Sequence, residues 1–291
     1  MSKKTKNLIL IGSFAVFFLV SFLTTLYAFG YWFDFENFKW LKTGGVFIKA
    51  NSNDISVFIS DELQGKTSFL TASFIEKNML PGSYQVRFEK DGLIPVTKEI
   101  EVKSGEAAQL IHIYLTNARE TQNFIAGLKN EIQESPFFIN KSNGLLYKKT
   151  DKGAEKISSE PVYIKKFSLK IFENDVYLVS QDSRAPGVFL LDSDGNWDLV
   201  NSRSASDLAL SPDRKKLAII SPQEVNILWL KDENEFPYFR KNHLKPILKV
   251  SSKIKEVFWF KTSWHLIYLT DSGEIYFVEV DGTGGQNEVK I

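Results

Sequence analysis

FSLKIFENDVYLVS (167–180), LALSPDRKKLAIIS (208–221) and VFWFKTSWHLIYLT (257–270) align without a gap. Each opens on an apolar strand start and meets a second apolar run nine residues later, at Val176, Leu217 and Leu266. A third run follows in each, at 188–191, 225–228 and 275–278. The starts lie 41 and 49 residues apart, which is the spacing of β-propeller blades, about 40–50 residues. Each such unit buries its apolar face only against its neighbours, so one repeat predicts an array. With the hairpin material at 137–157, about four blade-like units are expected over 136–291, the lower limit for closing a propeller. A four-bladed ring, an open array and a truncated sequence all satisfy the pattern.

Upstream, residues 117–135 are polar, with Phe124, Ile125, Leu128 and Ile132 at helical spacing and Pro136 as a stop. The segment predicts a helical linker between two domains. Before it, short apolar runs at 46–48, 55–59, 84–88, 100–102 and 110–115 alternate with polar residues, as half-buried strands do. Gly- and Pro-bearing turns at 61–65, 80–83, 90–92 and 103–106 separate them. The pattern predicts a small antiparallel β-sandwich over 44–116. The fold class is therefore mainly β, an expectation that 24 Phe and 10 Tyr strengthen.

Two family resemblances rest on these stretches. LPGSYQVRFEKDGLIPVTKEIEVKSGE (80–106) resembles the second half of a PEGA domain, with Pro81-Gly82, Tyr84, Val86, Lys90, Gly92, Pro95, Val102 and Gly105 in the family's order. Leu93 stands where that family has an aromatic, and 52–55 replaces the Pro-Glu-Gly-Ala stretch. The resemblance implies a sandwich for display or adhesion, without catalytic residues. DLALSPDRKKLAII (207–220) resembles the blade start of TolB-like propellers, although Arg214 occupies the turn glycine's position. Residues 281–287 resemble the spacer between such blades, which leads into a further one.

From Leu8 to Phe33 no residue is charged. That run is longer than a signal peptide's apolar core of about 7–15 residues and long enough for a bilayer core of about 30 Å. It predicts an uncleaved transmembrane helix over 8–33 behind a cytoplasmic tail, 1–7. Lys3, Lys4 and Lys6 precede the span and Asp34 and Glu36 follow it, so the N-terminus is expected in the cytoplasm and the rest outside. Tyr27, Tyr31, Trp32 and Trp40 suit the outer interface. The formal charge of +1, from 36 basic and 35 acidic residues, supplies no field for nucleic acid, which is not expected as a partner. The absence of cysteine excludes disulfides and thiolate chemistry.

Few residues point to chemistry. Asp192, Asp194, Asn196 and Asp198 offer oxygen ligands, but Gly195 and Arg203 stand at the wrong positions for an EF-hand, so a hairpin turn is expected there. His112, His243 and His265 lie in no catalytic or metal-ligating spacing. No catalytic residue, metal or cofactor is expected. The aromatic cluster Trp259, Trp264 and Tyr268 and the basic loop residues Arg240, Lys241 and Lys245 are the candidate interaction surface. The expectation is a membrane-anchored, extracytoplasmic interaction or scaffold protein of the cell envelope. It would bind a protein or glycan without catalysis; a propeller-based envelope hydrolase or lyase is the alternative.

Overall fold

The computed structural model describes residues 3–35, 38–128, 135–173 and 175–291. The readings that used Glu36 and Ile132 fall outside them. The chain divides into two compact units, one of residues 1–117 with 282–287, the other of 118–281 with 288–291.

The first unit opens with α1 (Lys3–Ala28), and within Thr5–Ala28 an 18-residue window has a mean hydropathy of 2.3 and no buried residue. Ser13, Thr24 and Thr25 each donate a side-chain hydrogen bond to the carbonyl four residues earlier, at 2.8–2.9 Å, so their hydroxyls need no water. The helix is shorter at its end than the apolar run predicts. Gly30 stands at φ 78°, and the chain turns into a hairpin of β1 (Tyr31–Asp34) and β2 (Lys39–Lys42). Apolarity alone does not separate a helix from a strand of the same hydropathy, and the glycine decides it.

Then come β3 (Gly44–Ala50), β4 (Ser56–Ile59), β5 (Glu62–Lys66), β6 (Ser73–Met79), β7 (Gly82–Glu89), β8 (Val96–Val102) and β9 (Ala107–Ile113). They form two sheets, ordered β6-β3-β9 and β5-β4-β7-β8. Val46, Ile48 and Leu110 from one sheet and Val57, Val86, Phe88 and Ile100 from the other share one core. Burying each such side chain contributes about 1.5–3 kcal/mol. Pairing is antiparallel except between β3 and β9, which run parallel.

The stretch 282–287 does not lead into another blade. It lies along the outer edge of β8, where Glu99 N donates to Gly284 O (2.8 Å) and Lys98 Nζ to Gly285 O (2.8 Å). An open strand edge is thereby covered.

The second unit begins with α2 (Ala118–Leu128), followed by β10 (Phe137–Ile139), β11 (Leu146–Thr150) and β12 (Gly153–Lys156) in a three-stranded first blade. Three four-stranded meanders follow: β13 (Phe167–Phe172), β14 (Asp175–Ser180), β15 (Gly187–Leu191) and β16 (Trp197–Asn201); β17 (Asp207–Leu210), β18 (Lys216–Ile220), β19 (Glu224–Trp229) and β20 (Leu244–Lys249); β21 (Ile254–Trp259), β22 (His265–Thr270), β23 (Ile275–Glu279) and β24 (Glu288–Lys290). The fold is mainly β, with propeller-like blades behind one N-terminal apolar helix.

Neighbouring blades bury common cores. Tyr177, Val179 and Val188 of the second pack on Leu208, Leu217 and Ile219 of the third. Ala218, Ile227 and Trp229 of the third pack on Trp259, Leu266 and Tyr268 of the fourth. Helix α2 meets the fourth blade through Phe124, whose ring lies 4.8 Å from Phe260, and through Glu120, 2.8 Å from Lys261 Nζ.

Candidate functional site

The third blade's first turn is built by its own polar residues. Ser211 Oγ donates to Asp213 Oδ1 (2.6 Å) and accepts from Lys216 N (2.9 Å), while Arg214 N closes the turn on Ser211 O (2.8 Å). Arg214 stands at φ 57°, the conformation that a turn glycine would adopt. Arginine carries there the steric cost of a Cβ that glycine lacks, about 1 kcal/mol.

That side chain reaches the second blade, where Arg214 Nη1 lies 2.9 Å from Glu173 Oε2. It lines a groove of about 490 Å³ between the second and third blades. Asp175, Tyr177 and Asp198 come from the second blade and Arg214, Lys231 and Lys241 from the third, with Leu190, Leu199 and Leu230 among the apolar residues of the lining. Burial, then the charge of Asp175, pushes the Tyr177 hydroxyl up to about 12 against the pull of Arg214, so it stays a donor at neutral pH. A lining that combines cations, carboxylates and apolar side chains suits a ligand that carries both polar signs and an apolar or planar body.

Beneath the turn lies a buried ionic cluster. Lys216, fully buried, places Nζ 2.9 Å from Asp213 Oδ2, 3.2 Å from Glu233 Oε2 and 4.1 Å from the centre of the Trp264 ring. Lys215 Nζ donates to Glu233 Oε1 at 2.8 Å. Burial works to raise the Glu233 carboxyl, but the Lys215 hydrogen bond and the Lys216 charge outweigh it and hold it below the usual value. Asp213 is lowered in the same way, burial being overcome by hydrogen bonds from Ser211, Lys215 N and Lys216. The cluster is satisfied internally and fixes the turn that carries Arg214.

The expected interaction surface is divided. Trp259 (7% exposed) and Tyr268 (1%) are not surface residues but core, because their strands face the third blade. Trp259 Nε1 donates to Ala209 O (2.9 Å), and Tyr268 stacks on Tyr276 and donates to Glu288. Trp264 packs against the same core under Lys216. Lys245 lies in β20 rather than in a loop, and its Nζ donates to Val280 O and Asp281 O. Only Arg240 and Lys241 of the six remain open, and Lys241 lines the groove.

Asp192 is a turn residue. Its Oδ1 accepts from Asn196 N (2.7 Å) and Asp194 N (2.8 Å), hydrogen bonds that hold its carboxyl below the usual carboxylate pKa. Among the described residues no group of three His, Asp or Glu is arranged to hold a metal ion. His112, His243 and His265 stand on β9, before β20 and at the start of β22. Asp175 and Lys231 were not singled out from the sequence; Asp198 was read only as part of a hairpin turn and Arg214 only as the residue at a turn glycine's position. The one signal for them was Arg214 itself, a large cation where the blade phrase has glycine.

No family model matches the sequence, and no curated protein matches it. Solved structures similar to it include Hsv2 of Kluyveromyces lactis with a complete loop 6CD, at 11% identity and TM-score 0.38, covering 75% of this chain and 59% of that one. A quinonprotein alcohol dehydrogenase-like protein of Bacteroides thetaiotaomicron aligns at 9% identity and TM-score 0.35, covering 83% and 54%. A structural-genomics protein of unknown function from the same organism aligns at 11% and 0.31, covering 80% and 64%. The chain thus spans between 54% and 64% of their lengths.

Proposed function

We propose that this chain is a membrane-anchored, extracytoplasmic protein of the cell envelope that binds a protein or glycan partner without catalysis. Its binding site is the groove between the second and third blades. The observation that carries this reading is Arg214, a cation kept in a backbone conformation that favours glycine and directed into a groove with Lys231, Lys241, Asp175 and Asp198. Strain of this kind clusters at functional positions.

The apolar helix α1 serves as an uncleaved anchor with its lysine-bearing end in the cytoplasm, a reading supported by its length and by the charges that flank it. The PEGA-like reading of 44–116 is supported by the two-sheet sandwich and by the Pro81-Gly82 turn that opens β7. In this reading the sandwich is a spacer or adhesion module.

The test is photo-crosslinking from Leu199, an exposed groove residue. In intact cells a discrete adduct is expected from position 199 that disappears in Arg214→Gly, with no adduct from position 272. An adduct that Arg214→Gly leaves unchanged would remove Arg214 from the site, and no adduct from position 199 would place binding elsewhere; either overturns the reading.

A further inference from the structure

Hairpin β1–β2 carries an aromatic face that no part of the sandwich core covers. Its register pairs Phe33 with Trp40 and Tyr31 with Lys42, so alternation sets Tyr31, Phe33 and Trp40 on one side, and Phe35 and Phe38, in the turn beyond the strands, join that side through ring contacts with Phe33. Phe35 and Phe38 are 73% and 81% exposed, and Tyr31 and Trp40 are 38% and 44% exposed. The rings gather on Phe33, at 5.0 Å for Phe35, 5.1 Å for Trp40 and 6.3 Å for Phe38. An exposed patch of this size and composition marks an interaction surface.

The hairpin's place is fixed to the end of α1. Only Phe29 and Gly30 separate them. Thr43 N and Thr43 Oγ1 both donate to Gly30 O, at 2.7 and 2.8 Å, closing the hairpin's base on the helix end. The Tyr27 ring of the last helical turn lies 6.2 Å from Trp32. A helix that spans a bilayer over 8–28 therefore leaves this hairpin at the boundary between acyl chains and headgroups, where aromatic side chains are favoured.

We infer that hairpin β1–β2 is a second membrane element, seated in the outer headgroup region with Phe35 and Phe38 reaching toward the acyl chains, so that the anchor is a helix and a hairpin acting together. The inference rests on the reading of α1 as a spanning helix. The bilayer is the occupant because the patch is continuous with that helix and clamped to its end. Besides tethering the chain, the pair would prevent the sandwich of the first unit from swivelling about the helix end.

The absence of cysteine allows a direct test. The full chain, with a single environment-sensitive dye at Phe35→Cys, Phe38→Cys, Val16→Cys or Ser104→Cys, is reconstituted in phosphatidylcholine–phosphatidylglycerol vesicles. Dyes at 35 and 38 are expected to shift to the blue and to be quenched by lipids with a spin label near the headgroup. The dye at 16 should be quenched by a label deep in the acyl chain, and the dye at 104 by neither. If 35 and 38 behave like 104 while 16 is quenched, the hairpin inference fails and the spanning helix stands. If 16 also behaves like 104, the spanning reading fails and takes the inference with it. A blue shift at 35 and 38 that grows with protein density and resists lipid quenching would assign the face to a second copy, overturning the inference.

Discussion

At Arg214 the backbone stands at φ 57° and the side chain meets Glu173 across the groove. Relief of the left-handed strain and loss of an exposed ion pair pull in opposite directions, each about 1 kcal/mol or less. Arg214→Gly is therefore expected to leave the free energy of unfolding unchanged or raised by up to about 1 kcal/mol, read by urea denaturation, while groove binding is lost. A clear destabilisation would make Arg214 a structural residue. Lys216 should behave in the opposite way. Lys216→Ala leaves Glu233 buried and short of a partner, and a loss of about 3–5 kcal/mol is expected. The pair Lys216→Met with Glu233→Leu should recover most of it, because an apolar pair carries no desolvation cost. The carboxyls of Asp213 and Glu233 are held below their ordinary values in the folded protein. Their contribution is present above the unfolded values, about 4, and is lost as pH falls through the folded ones. The thermal midpoint should be level from about pH 7 to 5 and fall below about 4, and the fall should be smaller in the double variant.

At the level of elements, inner strands were legible and outer strands were not. The nine-residue offsets place second strands at Val176, Leu217 and Leu266, each within one residue of where β14, β18 and β22 begin. The outermost strands β16, β20 and β24 were missed because they face solvent and lose their apolar period. β20 carries Lys245, Pro246 and Lys249, and β24 is only Glu288, Val289 and Lys290. The groove was hidden for a related reason. Its residues come from strand ends and turns of two repeats, and only folding brings 175, 198, 214, 231 and 241 to one place. The aromatics of the fourth blade misled in the other direction, since composition does not say which face of a strand is inward. Two elements lend themselves to test. The Phe124 ring joins α2 to Phe260 while half buried, so Phe124→Ala should cost about 2 kcal/mol, less than the 3–5 of a fully buried phenylalanine, and raise hydrogen exchange in α2. Gly195, at φ 82°, would place a Cβ 2.7 Å from Ser159 N and 2.8 Å from Ile157 O. Gly195→Ala should thus destabilise the junction of the first two blades by more than 1 kcal/mol, roughly, with protease sensitivity appearing first near residue 159.

For the whole molecule, the sequence already contained the division into an apolar helix, a sandwich and a blade array. It did not contain the return of 282–287 along the edge of β8 before the chain re-enters the fourth blade as β24. That path depends on contacts between residues nearly two hundred positions apart, as from Lys98 to Gly285, which no local pattern reports. The central claim, that α1 anchors two β units outside the cytoplasm where the groove meets its partner, is most directly tested by cysteine accessibility in intact cells. Single cysteines at Ser2, Ser104 and Ser272 are treated with an impermeant thiol reagent, before and after permeabilisation. The account predicts labelling at 104 and 272 in intact cells and at position 2 only after permeabilisation. Labelling at position 2 alone, or at none of the three until the membrane is opened, would contradict it.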